Sequence, residues 1–147
     1  MKILAILQAR VSSSRLPNKV LLPLNNYPMI IQQINRLKKS KFIENLVVAT
    51  SDEVSDLPLV EVLKNHKVDF YQGSLDNVLD RFYQTALLWK SEHIVRLTGD
   101  CPLADADIID NVIDMHLQSN ADYTSNANPP TFPDGLDVEI MTFSALK

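Results

Sequence analysis

Short apolar runs alternate with longer amphipathic segments along this chain of 147 residues, and the alternation restricts the fold more than any other feature. Residues 3–7, 46–50 and 94–98 are almost continuously apolar, which is typical of central parallel strands covered on both faces. Residues 68–71 form a weaker fourth candidate strand. The order of segments therefore predicts an α/β domain with a mostly parallel sheet and helices on both faces.

The segments between these runs place apolar side chains at helical spacing. Three stripes result: Ile30, Ile31, Ile34 and Leu37; then Val78, Phe82, Ala86 and Trp89; and finally Ile108, Ile109, Val112, Ile113 and Leu117. Pro28 suits the first turn of the first helix, while Asp56 and either Ser74 or Asp76 are candidate caps of later ones. Each stripe is expected to pack on the sheet.

Length and composition exclude several classes of protein. An apolar fraction of 46% suits one buried core, and a net charge of −4 with mixed signs gives no broad positive field for nucleic acid. The single cysteine and three scattered histidines give no disulfide and no zinc spacing, and no stretch approaches the ~20 apolar residues that span a bilayer. We expect one soluble, cytoplasmic domain over residues 1–147 without nucleic-acid or membrane partners.

A basic loop follows the first predicted strand. It contains Arg10, Arg15 and Lys19 together with three serines, Ser12, Ser13 and Ser14. Open α/β sheets bind ligands outside the carboxyl ends of their strands, and guanidinium and ammonium groups neutralise phosphate there. The alternative is an ordinary solvated basic loop, but the position after the first strand favours phosphate binding.

Acidic residues after the third apolar run suggest a metal site. Asp100 stands at a strand's carboxyl end, where one carboxylate with phosphate oxygens and waters can hold Mg²⁺; the alternative is a turn aspartate. Asp105 and Asp107 could be the metal pair of a glycosyltransferase, but their place before an amphipathic segment favours helix capping. Cys101 has no evident histidine partner and is expected to pack.

The last part of the chain changes texture. Residues 126–135 are rich in Asn and Pro and predict an ordered loop, and residues 136–140 alternate so that Asp137 and Glu139 share one face of a strand. Residues 142–147 resemble a cap and the first turn of a helix, so we expect the natural protein to be longer and this domain to lack its C-terminal part.

Two further expectations concern isolated polar residues. Arg96 lies among apolar strand residues and is expected to pair with a neighbouring acid. His66, His93 and His116 do not cluster in the sequence and are expected to be ordinary surface or cap residues.

The segment QARVSSSRLPNKVLLPL resembles the amino-terminal loop of the sugar cytidylyltransferases that make CMP-activated ulosonic and nonulosonic acids, and most closely the SpsF-like branch. Ser12 and Asn18 stand where that branch usually has glycine. The similarity continues, in the same order and approximate spacing, through VVATSDEVSD, QGSLDNVLDRFYQTA, VRLTGDCPLADADIID and FPDGLDVEIMTFSAL. It covers nearly the whole chain.

The resemblance implies a Rossmann-like nucleotide-diphospho-sugar transferase sandwich that binds CTP at the carboxyl edge of its sheet. Its implied catalytic residues are Arg10, Arg15 and Lys19, which would contact the triphosphate, with Mg²⁺ on Asp100. Nucleotide contacts would come from Ala9, Ser12, Ser13, Ser14 and Arg81, and acceptor-sugar contacts from Asp134, Asp137 and Glu139. The competing interpretations are a surface i,i+4 pair for Arg81, with Asn77 or Thr85, and solvated edge-strand acids for the last three.

The function expected on this resemblance is activation of an acidic or surface-polysaccharide sugar with CTP, with release of pyrophosphate, by an enzyme that we also expect to form a homodimer. A glycosyltransferase that uses a ready-made nucleotide sugar is one alternative. A non-catalytic nucleotide-binding module is the other.

Overall fold

The computed structural model describes residues 1–13 and 15–147 and contains one six-stranded sheet and one small hairpin. The strands are β1 Ile3–Gln8, β2 Pro23–Leu24, β3 Tyr27–Pro28, β4 Asn45–Ser51, β5 Asp69–Gly73, β6 His93–Thr98, β7 Tyr123–Ser125 and β8 Glu139–Thr142. The helices are α1 Met29–Leu37, α2 Leu57–Asn65, α3 Val78–Trp89, α4 Ala106–Ser119 and α5 Phe143–Leu146.

The large sheet has the order β5-β4-β1-β6-β8-β7. Its first four members are parallel, and Leu7 in β1 lies opposite Val48 on one side and Leu97 on the other. β8 runs antiparallel to β6, and β7 runs antiparallel to β8. The four predicted strands and the mostly parallel sheet are confirmed.

Side chains of β1 alternate between two apolar cores, one on each face of the sheet. Ile3, Ala5 and Leu7 belong to the core that α1, α2 and α4 cover. Leu4 and Ile6 belong to the core that α3 and α5 cover. Because both faces are buried, the central strands are apolar at most positions, as the sequence predicted.

The predicted strand over residues 136–140 is wrong in its first three positions, since β8 begins only at Glu139. The cause is Asn126, which is buried in the predicted loop. Its side chain accepts a hydrogen bond from Val138 N at 2.7 Å and donates to Leu136 O at 3.0 Å. These bonds use backbone groups that a strand would pair with a neighbour, and they anchor the irregular loop over residues 126–135.

Helix caps follow the predictions in part. Asp105 caps α4 through Asp107 N at 3.0 Å and Ile108 N at 3.2 Å, and Thr142 caps α5 through Ala145 N at 3.2 Å. The cap of α3 is Asn77, whose side chain accepts from Asp80 N, and neither Ser74 nor Asp76. Asp56 precedes α2, but its carboxylate makes no capping bond.

The expectation for the histidines is wrong for two of them. His116 on α4 is only 1% exposed, and its ring contacts that of His93 on β6 with 3.1 Å between nitrogen atoms. His116 Nδ1 also lies 2.9 Å from Thr124 Oγ1 on β7. The sequence separates these residues, and the fold brings them together at the amino end of β6.

Within residues 1–13 and 15–147, no helix combines the length and the apolar character that crossing a bilayer requires.

Candidate functional site

The carboxyl ends of β1 and β6 lie side by side, with Gln8 opposite Thr98, so the loops that follow them meet at one edge of the sheet. A cavity of about 300 Å³ opens between these loops. Its lining comes from both of them and from the strand ends: Gln8, Ala9, Arg10, Ser13, Arg15, Lys19, Val20, Arg96, Thr98, Gly99 and Asp100. This is the ligand position that the parallel sheet predicts.

Close packing at Gly99 sets the distance between the two loops. Gly99 N donates to Gln8 O at 2.8 Å. A Cβ atom at position 99 would lie 2.8 Å from Ala9 Cβ and 3.0 Å from Gln8 O, closer than such atoms approach each other. The absence of a side chain at Gly99 therefore lets the basic loop and the Asp100 loop touch through their backbones.

The backbone of the basic loop closes on Val11. Val11 O accepts hydrogen bonds from Ser13 N at 2.8 Å and from Asn18 N at 3.1 Å. Asn18 has a φ of 59°, a left-handed conformation that Asn adopts more readily than most residues. Lys19 then begins a 3₁₀ turn, Lys19–Leu21.

Charge in the cavity is strongly positive although the chain as a whole carries −4. Four cationic side chains line it, those of Arg10, Arg15, Lys19 and Arg96, against the single carboxylate of Asp100. Arg96 is also paired with Glu139, its cross-strand neighbour on β8, which confirms the predicted ion pair. This lining suits a polyanion such as a polyphosphate.

Asp100 contacts the basic loop directly, since one carboxylate oxygen lies 3.6 Å from Lys19 Nζ. Burial by itself opposes ionisation, but the Thr98 hydroxyl, the Lys19 charge and the Cys101 thiol outweigh it and leave the pKa of Asp100 below its ordinary value. The group is therefore an ionised carboxylate at neutral pH.

The donor set fits Mg²⁺ that is shared with a phosphate ligand. Within the described part of the chain, no group of three His, Cys, Asp or Glu side chains could hold a metal ion on its own. Mg²⁺ commonly takes one or two carboxylates and completes its shell with phosphate oxygens and waters. Asp100, beside four cations that would hold the phosphates, meets that requirement.

A second cavity of about 510 Å³ adjoins the first and shares Thr98 and Asp100 with it. Asp134 and Asp137 line it from the loop before β8, and Pro102 and Leu103 line it from the loop after β6. Two of the three residues predicted at the sugar site are thus brought next to Asp100. The third, Glu139, is held by Arg96 and by the Tyr123 hydroxyl at 2.5 Å, outside the lining of this cavity.

Most residues predicted to hold the nucleotide meet in the first cavity. Ala9, Arg10, Ser13, Arg15 and Lys19 all line it. Ser12 is exposed and is not among the lining residues, and Ser14 lies outside the described residues.

Arg81 is not the surface residue that an i,i+4 pair would require, because it is only 2% exposed. Its guanidinium donates to Ser74 O at 2.7 Å, and it does not line the cavity. Burial lowers the pKa of Arg81; the charge of Asp56 opposes this effect and that of Arg10 adds to it. A direct contact between Arg81 and a nucleotide stays a prediction, and the structure gives Arg81 an internal role beside the basic loop.

Two side chains of α1 support the Asp100 loop, and neither was predicted as a functional residue. Gln33 is fully buried and donates to Thr98 O at 2.8 Å, and Arg36 donates to Ala104 O at 2.9 Å and to Leu103 O at 3.3 Å. A glutamine at a buried position within the stripe from Ile30 to Leu37 was the available signal.

Cys101 packs at the edge of the larger core, as predicted. Burial raises the pKa of its thiol; the Thr98 hydroxyl opposes this shift and the Asp100 charge reinforces it. A thiol that stays protonated at neutral pH is a poor nucleophile, so this site is not built around Cys101.

Several proteins are similar to this chain in sequence. A model of the cytidylyltransferase family matches residues 4–147. An uncharacterized protein of Methanocaldococcus jannaschii is 41% identical over all 147 residues, which cover 59% of that protein. The spore coat polysaccharide biosynthesis protein SpsF of Bacillus subtilis is 38% identical over 136 residues, which are 87% of this chain and 55% of that protein. The chain thus spans less than two thirds of the length of these relatives.

Comparisons of structure agree with those of sequence. A cytidylyltransferase from Leptospira borgpetersenii superposes with a TM-score of 0.94 at 39% identity, over 99% of this chain and 62% of that one. A CMP:2-keto-3-deoxy-manno-octonic acid synthetase complexed with CTP superposes with a TM-score of 0.80 at 17% identity, over 99% of this chain and 76% of that one. At that identity the second similarity shows a common fold.

Proposed function

Because this chain belongs to the cytidylyltransferase family, we propose that it transfers the cytidylyl group of CTP to a sugar and releases pyrophosphate. The sugar we propose is an acidic or surface-polysaccharide sugar, by similarity to SpsF and to the 3-deoxy-manno-octulosonate cytidylyltransferase of Acinetobacter baumannii, which is 35% identical over 112 residues, 73% of this chain and 43% of that protein. Since the chain spans only part of these relatives, both turnover and acceptor belong to the proposal.

One observation carries this proposal: the cations Arg10, Arg15 and Lys19 of the basic loop line the same cavity as Arg96 and the ionised carboxylate of Asp100. The negative charge of a nucleoside triphosphate would neutralise these cations. The adjoining cavity, with Asp134 and Asp137, offers hydrogen-bond acceptors for sugar hydroxyls close to the same carboxylate.

In the reaction we propose, a hydroxyl oxygen of the sugar attacks the α-phosphorus of CTP in line. The bond from that phosphorus to the bridging oxygen of the β-phosphate breaks, pyrophosphate leaves with the bonding electrons, and the hydroxyl proton passes to solvent. Arg10, Arg15 and Lys19 stabilise the charge that moves onto pyrophosphate, so the chain acts mainly by positioning and by electrostatics. Mg²⁺ held by Asp100 and phosphate oxygens would supply further charge neutralisation when bound.

Several finer assignments belong to the same proposal. Polar backbone and side-chain groups would contact the nucleotide from Ala9, Ser12, Ser13 and Ser14. Arg81 would make a second-line contact with the nucleotide. Glu139 would reach the sugar only after its ion pair with Arg96 breaks. We also propose a cytoplasmic enzyme, which agrees with a single cysteine and no pair for a disulfide. The single-domain organisation and the homodimer stay predictions.

The glycosyltransferase alternative needs Asp105 and Asp107 as metal ligands. Asp105 instead accepts two backbone hydrogen bonds at the start of α4. These contacts favour the cap over the metal pair.

Release of pyrophosphate tests the proposal. The chain is incubated with Mg²⁺, each of the four nucleoside triphosphates in turn, and a panel of acidic and neutral sugars, with Asp100→Asn as the matched inactive variant. We expect pyrophosphate only with CTP and one class of sugar. Loss of a nucleoside phosphate from a ready-made nucleotide sugar, without any pyrophosphate from CTP, would instead indicate a glycosyltransferase. CTP binding without turnover on any sugar would favour a non-catalytic module.

A further inference from the structure

We propose that Asp56 is a positioning residue, which fixes the basic loop in the shape that receives the triphosphate without touching the ligand itself. The inference rests on the proposed function, because it assigns the loop the task of binding polyphosphate. It concerns a residue whose only expected role in the sequence was a helix cap.

Asp56 is a fully buried carboxylate that joins two strand ends. One of its oxygens accepts from Val11 N at 2.6 Å, just beyond β1. The other accepts from Ser51 N at 3.3 Å and from the Ser51 hydroxyl, at the end of β4. Charge-assisted bonds of this kind are about twice as strong as neutral ones, and their geometry is set by buried groups on both sides.

The partner of Asp56 is the residue on which the basic loop closes. Val11 is buried, and its carbonyl accepts hydrogen bonds from the amides of Ser13 and Asn18. Ser13 precedes Arg15 by two residues, and Asn18 directly precedes Lys19. Moving Val11 would therefore move both ends of the segment between Ser13 and Asn18, which carries Arg15. Asp56 holds Val11 through its N–H, in the peptide group that precedes the one bonded by Ser13 and Asn18.

Asp56 also contributes charge. It favours the charged form of the buried Arg81, while Arg10 disfavours it. Asp56 therefore offsets part of the effect that burial and the Arg10 charge have on Arg81.

The chain provides a matched control at Asp110 on α4, which is 8% exposed. Its carboxylate accepts from the Ser40 hydroxyl and from Lys41 N at 3.0 Å, so it too joins a serine hydroxyl to a backbone amide. Each serine oxygen also accepts an amide two residues later, Glu53 N for Ser51 and Phe42 N for Ser40. This second cluster is close in sequence to Glu44, whose backbone N–H donates to Ile3 O at the start of β1. It therefore lies near the amino end of β1, whereas the cavity lies beyond the carboxyl end.

The experiment compares Asp56→Asn and Asp110→Asn by calorimetric binding of CTP with Mg²⁺ and of inorganic tripolyphosphate, and by hydrogen exchange of loop amides in the unliganded chain. We expect both variants to lose stability to a similar degree. Only Asp56→Asn should bind either ligand about tenfold more weakly and speed exchange at Val11, Ser13 and Asn18, because a charge-assisted bond to the loop is lost. Asp110→Asn should speed exchange at Lys41 instead.

Equal affinities in the two variants, or unchanged exchange at Val11 in Asp56→Asn, would overturn the inference. If Asp56→Asn does not fold, the milder pair Ser51→Ala and Ser40→Ala gives the same comparison, with the larger loss of affinity expected for Ser51→Ala. If the wild-type chain binds tripolyphosphate but not CTP, the proposed function is contradicted and the role of Asp56 is not. The affinities of the variants for tripolyphosphate then test the role of Asp56.

Discussion

Arg15 is a cation of the basic loop that makes no ion pair with the described acidic residues. Lys19 lies beside Asp100, and Arg96 is paired with Glu139. Arg15 is exposed and lines the cavity, and among residues 1–13 and 15–147 no acidic side chain lies within 4.0 Å of its guanidinium. Its charge is therefore available to a ligand.

We expect Arg15→Glu to weaken binding of CTP with Mg²⁺ by about 10- to 100-fold, since a charged hydrogen bond to phosphate is replaced by repulsion. Isothermal titration calorimetry measures the change. Lys39→Glu, the same change of charge at an exposed position beyond α1, should stay within about twofold. Equal losses in both variants would mean that overall charge, and not the position of Arg15, governs affinity.

At the scale of single residues, the sequence predicted the groups that carry charge but not the groups that hold them. Arg10 and Asp100 stand just after apolar runs, and Lys19 belongs to the same loop as Arg10, so the positions of two strand ends bring the loops together. Asp56 and Gln33 act through hydrogen bonds to residues 45 and 65 positions away in the chain, and such distant partners leave no local pattern.

At the scale of elements, α4 is the clearest case of a helix start that can be mistaken for a metal motif. Asp105→Ala should lower the free energy of unfolding by about 1 kcal/mol, because two amides of the first turn lose their acceptor, whereas Asp105→Asn should cost much less. Denaturant unfolding of both variants gives the comparison, with Asp107→Ala as a control for the helix dipole alone. An Asn variant as unstable as the Ala variant would show that the negative charge matters more than the cap.

Helices and buried strands were predictable because their periodicity reflects burial on one face or two. The start of β8 was not predictable. Val138 and Ile140 are buried and alternate with Asp137 and Glu139 as in a strand, yet the Asn126 side chain takes the backbone bonds before position 139. Alternation reports which side chains are buried, and not whether the backbone has a strand partner.

At the scale of the whole molecule, buried histidine links folding to pH. Burial lowers the pKa of His116 below 6.5, and the charge of His93 lowers it further, against an opposing effect of Asp122. A base with a lowered pKa binds protons more tightly in the unfolded chain. Its contribution to stability is therefore complete above about pH 6.5 and is lost as the pH falls below that value.

We expect the melting temperature of the wild-type chain to fall between pH 7.5 and pH 5.5, and His116→Gln to show a smaller fall even if its melting temperature at pH 7.5 is lower. Scanning calorimetry at both pH values measures the two differences. His66→Gln should keep the wild-type fall, because His66 is exposed in the folded chain. The idea fails if His116→Gln retains the whole pH dependence.

Gly99 has a consequence for how this site can be changed. Because Gly99 packs against Ala9 and Gln8, the separation between the basic loop and the Asp100 loop is set by close contact of their backbones more than by the side chains that line the cavity. Substitutions of the lining side chains can therefore change ligand specificity while the width of the cleft between the two loops stays the same. In protein engineering, that width can be treated as constant, and the side chains on either side of it can be varied.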